Sequence, residues 1–435
     1  MKVSFKKTAS LILLACLLLS CIFTAGCSGD TVKEFSNGEY VFLLYKDHVE
    51  LTVYLGSGAD VTVPKELKGK PVTVLGTSLF SGINTITSVT IPDSVTSLGD
   101  GVFSHCLGLA YVTLPDSITI IPYGTFFGCS NLISVKLPSN VSIIGDSAFY
   151  ACKKMRFPKL PNTLTEIGPH AFSGCDGITS VMLPNSVTSL RNNAFENCKN
   201  LISFTAGTSL NSIGSDCFKS CEGLGSISLN DGLTSISAGA FSKTALKSIT
   251  IPETVTNMGG CFKDCKQLTE VKLPSGLTEI ADEMFSGCEK LPSISLPQGT
   301  KKIGANAFNE CKNLASPSFP ESLEEIGDSA FAKCVSFGEL TFSNSLKSIG
   351  AYTFSNCLSL SSITFGNSLV YIGDYAFEYC QKMLYLTLPA SLTATGKDMF
   401  KSCTYLRTVT VLKEQGSLDT SEWGTGFGIR WKPEK

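Results

Sequence analysis

Phenylalanine returns along this chain at a fixed interval, and no other feature constrains the fold as tightly. It stands at Phe80, Phe103, Phe126, Phe149, Phe172, Phe195, Phe218, Phe241, Phe262, Phe285, Phe308, Phe331, Phe354, Phe377 and Phe400. Thirteen of the fourteen intervals are 23 residues long; Phe241 to Phe262 is 21. A fixed period of this size belongs to a solenoid, where each coil buries its apolar face only against its neighbours. At 43% hydrophobic and 17% charged, the chain can supply such a core.

Within the unit that starts at Phe126, Leu132, Val135 and Leu137 lead into the alternation of a strand with one buried face. Pro138 follows and ends it, having no N–H for a ladder. Gly145 and its equivalents, such as Gly99 and Gly168, suit a tight corner. Asp146-Ser147-Ala148 is too short for an α-helix and predicts a turn or 3₁₀ segment. One strand per period, always entered from the same side, predicts a parallel sheet. With neighbouring strands ~4.8 Å apart, about fifteen coils give an array ~70 Å long.

The unit C-x-x-L-x-x-[IV]-x-[LI]-P-x-x-[VL]-x-x-[IL]-G-x-x-A-F resembles the BspA-like (Treponema-type) leucine-rich repeat from about Val63 to Val411. The resemblance implies a curved solenoid with its parallel sheet on the concave side and short turns or 3₁₀ segments outside. It also implies a bacterial or protist surface protein, a family with members implicated in adhesion, and no catalytic residue.

The N-terminal stretch reads as an export signal. Lys2, Lys6 and Lys7 precede an apolar run from Leu11 to Phe23, and Ala25-Gly26 stand before Cys27. This resembles the lipobox of bacterial lipoproteins, with Thr24 where the family usually has Leu. The resemblance implies cleavage after residue 26, a lipid on Cys27 and a membrane anchor; without lipidation the chain is secreted. The expected division is a signal peptide at 1–26, a polar tether at 27–38, a capping hairpin at 39–63, the solenoid at 64–411 and a C-terminal cap at 412–435. In that last cap, Trp423, Phe427, Ile429 and Trp431 are placed to shield the final apolar layer.

Thirteen of the eighteen cysteines stand three residues after a spine phenylalanine, from Cys106 to Cys403. Stacked at ~4.8 Å with parallel Cα–Cβ bonds, they do not meet the ~3.8 Å Cβ separation and facing geometry of a disulfide. A straight file of single thiols also lacks the converging ligands of a zinc site. Buried free thiols are expected. Between Arg191 and Phe262 the repeat loses two residues, and Arg191, Gly207, Asn230, Ser237 and Thr244 break the consensus. A bend, a seam and tolerated drift all fit this stretch.

The strand residues that alternate with the core are mostly Ser and Thr. Tyr111, Lys136, Phe157, Lys159 and Met182 form an exception on neighbouring coils, mixing aromatic, cationic and apolar groups as binding patches do. The three histidines, His48, His105 and His170, fall in no catalytic motif, and no cofactor signature is present. A formal charge of −2, or −5 without residues 1–26, gives no nucleic-acid footprint. The expected role is a surface binding or adhesion module for extracellular or envelope proteins or glycans. The alternative is an envelope-structural or glycan-binding lipoprotein without an adhesin role.

Overall fold

The computed structural model describes residues 32–432. The signal segment and Cys27 lie outside the described residues. Those residues form a parallel β-solenoid of about 17 turns with no helix.

Each coil has three sides, and the repeat starting at Phe126 shows why. Ser134–Lys136 is a three-residue strand with Val135 buried and its neighbours exposed, paired in parallel with Tyr111–Thr113. Past Pro138 the chain turns, and Ile143–Ile144 forms a second, two-residue strand between Ile120–Ile121 and Glu166–Ile167. Most coils thus have two strands where the alternation predicts one. The second is too short for periodicity to reveal. Gly145 then turns the corner, where a Cβ would stand 2.8 Å from the Ile121 carbonyl oxygen of the preceding coil.

The third side carries the phenylalanine and is built of turns rather than 3₁₀ helix. Residues two before and two after Phe149 are left-handed, with φ of 54° at Ser147 and 56° at Ala151. Around Phe126 the backbone N–H groups of Gly124, Phe126 and Gly128 donate to Asp146, Ala148 and Tyr150 of the next coil, at 2.7–2.9 Å. A segment without regular strand geometry therefore still satisfies its backbone between coils, as a buried side must.

The fifteen phenylalanine rings stack in one file. All fourteen successive centroid distances lie between 5.2 and 5.8 Å, with planes within 19° of parallel. Burying each ring contributes about 1.5–3 kcal/mol before entropy is counted. At the N-terminal end Tyr54 meets Phe80 edge-on at 5.2 Å. At the other end Trp423 and Phe427 meet Phe400 edge-on at 5.9 and 5.3 Å.

Both expected caps differ in detail. Lys33–Ser36, inside the expected tether, is a strand paired antiparallel with Tyr40–Leu44. That strand pairs with Val49–Tyr54, which runs parallel to Lys70–Leu75 of the first coil. Asp60–Thr62 falls within the expected 39–63 segment but belongs to an incomplete first repeat, pairing with Ser88–Thr90 in the three-residue sheet. The array also continues past residue 411: Gly428–Trp431 adds a parallel strand to Thr408–Val411. Trp423, 23 residues after Phe400, is buried and donates from Nε1 to Thr395 Oγ1 at 2.8 Å. Ile429 is 37% exposed, whereas Phe427 and Trp431 are partly buried against the core.

The irregular stretch is a seam in the hydrogen bonding. Phe241 to Leu246 is one residue shorter than Phe126 to Leu132, and Gly259 to Phe262 is one shorter than Gly145 to Phe149. After the first deletion, Ser226–Ser228 does not pair with Ser248–Thr250; after the second, Asn257–Met258 does not pair with Glu279–Ile280. The apolar core runs through unbroken, with Phe241 and Phe262 stacked at 5.6 Å.

Candidate ligand-binding surface

The three-residue sheet is also interrupted away from the seam. One interruption coincides with a concavity on its face. In intact coils the residue after the strand donates to the next coil, as Leu183 N–H does to Thr205 O at 3.0 Å. Alternation along a strand gives the middle residue the same direction. In the coil of Phe149 that middle residue is Pro158, buried where Val135 and Val181 sit in the flanking coils, and it has no N–H to give. Among the described residues no backbone hydrogen bond joins residues 157–159 to Ser180–Met182.

At this gap lies a cavity of about 660 Å³, lined by Phe157, Lys159 and Met182 together with Arg156, Leu160 and Leu183. Three of the five residues picked from the sequence are therefore brought together. Tyr111 and Lys136 lie outside the lining, on preceding coils, both exposed. Phe157 does not point outward as simple alternation predicts. It is half-buried, with its ring 5.4 Å from Phe172 and 5.9 Å from Phe195. Met182 is the opposite case, 73% exposed.

Two residues that matter here were missed by counting only the strand positions. Arg156 and Ile202 each stand one residue before the outward strand position of their coil. Arg156 lines the cavity, and Ile202, on the next coil beyond Met182, is 59% exposed. The signal was available as one more column of the repeat.

The charge around the gap is one-sided. Its lining contains Arg156 and Lys159 and no carboxylate. None of the nine ion pairs among the described residues includes Lys136, Lys153, Lys154, Arg156 or Lys159. A larger concavity of about 800 Å³ lies over the seam on the turn side and differs in kind. Its lysines meet their own acids, Lys219 to Asp216 at 3.1 Å and Lys263 to Glu283 at 2.8 Å.

The cysteine file offers no reactive chemistry. All fifteen cysteines among the described residues are free and buried. Desolvation pushes the thiols of Cys106, Cys265 and Cys403 up to about 11. Among the described residues, no group of three or more His, Cys, Asp or Glu side chains is placed to hold a metal ion.

A family model described as the BspA type leucine rich repeat region matches residues 61–158, 142–260, 258–345 and 324–421. Among solved structures, a leucine-rich repeat protein from Bacteroides ovatus is 26% identical, over 93% of this chain and 99% of its own, with a TM-score of 0.68. A leucine rich repeat protein of T. pallidum is 32% identical over 44% of this chain and 91% of its own, with a TM-score of 0.40. No curated protein matches the chain.

Proposed function

Because the chain belongs to the BspA-type leucine-rich repeat family, we propose that it is a surface binding module whose long-strand face engages protein or glycan ligands. The observation that carries this reading is the gap over Pro158, where a half-buried aromatic, exposed apolar side chains and unpaired cations meet on one face. Apolar anchors ringed by polar groups are the composition of interaction sites. A regular array lets several weak contacts act together. Export and a lipid on Cys27 would place this face outside the cell. No helix among the described residues is long and apolar enough to cross a membrane. A non-catalytic role is part of the proposal.

A glycan-binding or envelope-structural role is the second reading, favoured by Tyr111 and Tyr385, which are 54% and 57% exposed on the same face. The test is binding of the full-length protein in detergent to arrayed extracellular-matrix proteins, mucins and glycans, beside a Phe157→Ser/Lys159→Glu variant. Saturable binding lost in the variant supports the first reading. Binding retained in the variant moves the site elsewhere, and silence across the array favours the structural role.

A further inference from the structure

We propose that the gap over Phe157 and Pro158 recognises an acidic protein segment carrying one large apolar side chain. This rests on the surface-binding reading above and specifies its partner. Three independent features converge on that chemistry.

The first is shape and polarity. The cavity of about 660 Å³ has Phe157, Leu160 and Leu183 in its lining, which suits one leucine- or phenylalanine-sized side chain with adjoining backbone. Met182 and Ile202 stand proud beside it and gain by being covered. The second is charge. Arg156 and Lys159 line the gap, and Lys136 stands in the column of Lys159 on the preceding repeat. From Thr87 to Ser228 the outward columns of this face, including the one that holds Arg156, contain no Asp or Glu. These cations have no partner within the described chain, and an acidic ligand supplies one. The guanidinium of Arg156 adds a planar fork that matches a carboxylate.

The third feature is the broken ladder. Pro158 deprives Ser180 of the backbone donor that its counterparts in intact coils receive, so main-chain polar groups border the gap. A peptide carries its own N–H groups to such an edge. A sulfated glycan satisfies the cations but leaves Phe157, Met182 and Ile202 without an apolar counterpart, so a protein segment is the better fit.

The experiment is display of random twelve-residue peptides, panned against the full-length protein held in detergent. Enriched sequences are expected to be net acidic around a single large apolar residue. The best peptide should lose about tenfold or more in affinity with Arg156→Glu/Lys159→Glu, and should weaken markedly between about 50 and 500 mM NaCl. Met182→Ser should weaken binding while leaving the salt dependence unchanged. All three side chains are exposed, and unchanged melting of the variants confirms the fold. Enrichment without acidic bias, equal affinity for the charge-reversed variant, or binding of heparin oligosaccharide with no peptide enriched would each overturn the inference. A neutral ligand lost on Phe157→Ser overturns the acidic partner alone and leaves the surface-binding reading standing. No ligand on this face, by display or array, overturns both.

Discussion

The Sγ of Cys152 donates to the carbonyl oxygen of Phe126, one coil back, at 3.1 Å. The same bond joins each of the thirteen file cysteines to the spine phenylalanine 26 residues earlier, or 24 across the short repeat, at 2.9–3.3 Å. Cysteine is thus small and apolar enough for the core, while its weak donor meets a buried carbonyl. Thr244, in the short repeat, turns its hydroxyl to Phe241 of its own coil at 2.8 Å.

The thiols should be inert in the folded protein and countable once it unfolds. Native protein is expected to react slowly with an aromatic disulfide reagent; in denaturant without reductant, at least the fifteen described cysteines should titrate. A count well below that number would mean disulfides. Cys311→Ala, which removes the donor to Phe285 O and leaves a small void, should cost about 1–3 kcal/mol by urea unfolding.

Alkaline pH should destabilise the array. Burial raises the Cys106 and Cys403 thiols from 9.0 to about 11, so the folded state holds protons that the unfolded chain releases. That stability is fully present below pH 9, the unfolded value, and is lost as pH rises through the folded value near 11. Urea midpoints at neutral pH and above pH 9 should show the decline. It should be smaller in Cys106→Ala/Cys403→Ala measured against its own neutral value.

Two glycines of similar appearance in the sequence should respond oppositely to alanine. At Gly145 the new Cβ would meet the Ile121 carbonyl oxygen at 2.8 Å, and backbone must move, at about 1–3 kcal/mol. At Gly276 nothing lies within 4 Å, and the change should stay within about 0.5 kcal/mol or stabilise slightly. Thermal unfolding of the two variants checks this; equal losses would argue against the close approach of coils at the corner.

Pro158→Val should close the gap. It returns the missing N–H and places at position 158 the residue type found at Val135 and Val181. The new amide should be protected in hydrogen exchange, and ligand binding to the face should fall although no cation has been touched. Undiminished binding with a protected amide would separate the site from the broken ladder.

The period alone determined that this chain stacks coils, that its phenylalanines share one interior file and that its cysteines stand in another. These follow from identical spacing, which puts identical side chains in identical surroundings whatever the details of the backbone. The candidate patch was legible only as a list of unlike residues on neighbouring coils. Phe157 turns partly inward although Pro158 keeps the buried place of Val135 and Val181, because its ring packs onto Phe172 and Phe195. The second strand of each coil was equally hidden, because two residues are too few to show a period. The 21-residue repeat was visible, but only the folded chain shows that each one-residue loss removes one strand pairing while the core passes through. Spacing sets the register of equivalent residues; the pairing of backbone groups and the direction of an irregular side chain are decided by what lies across from them, and tertiary contact supplies that.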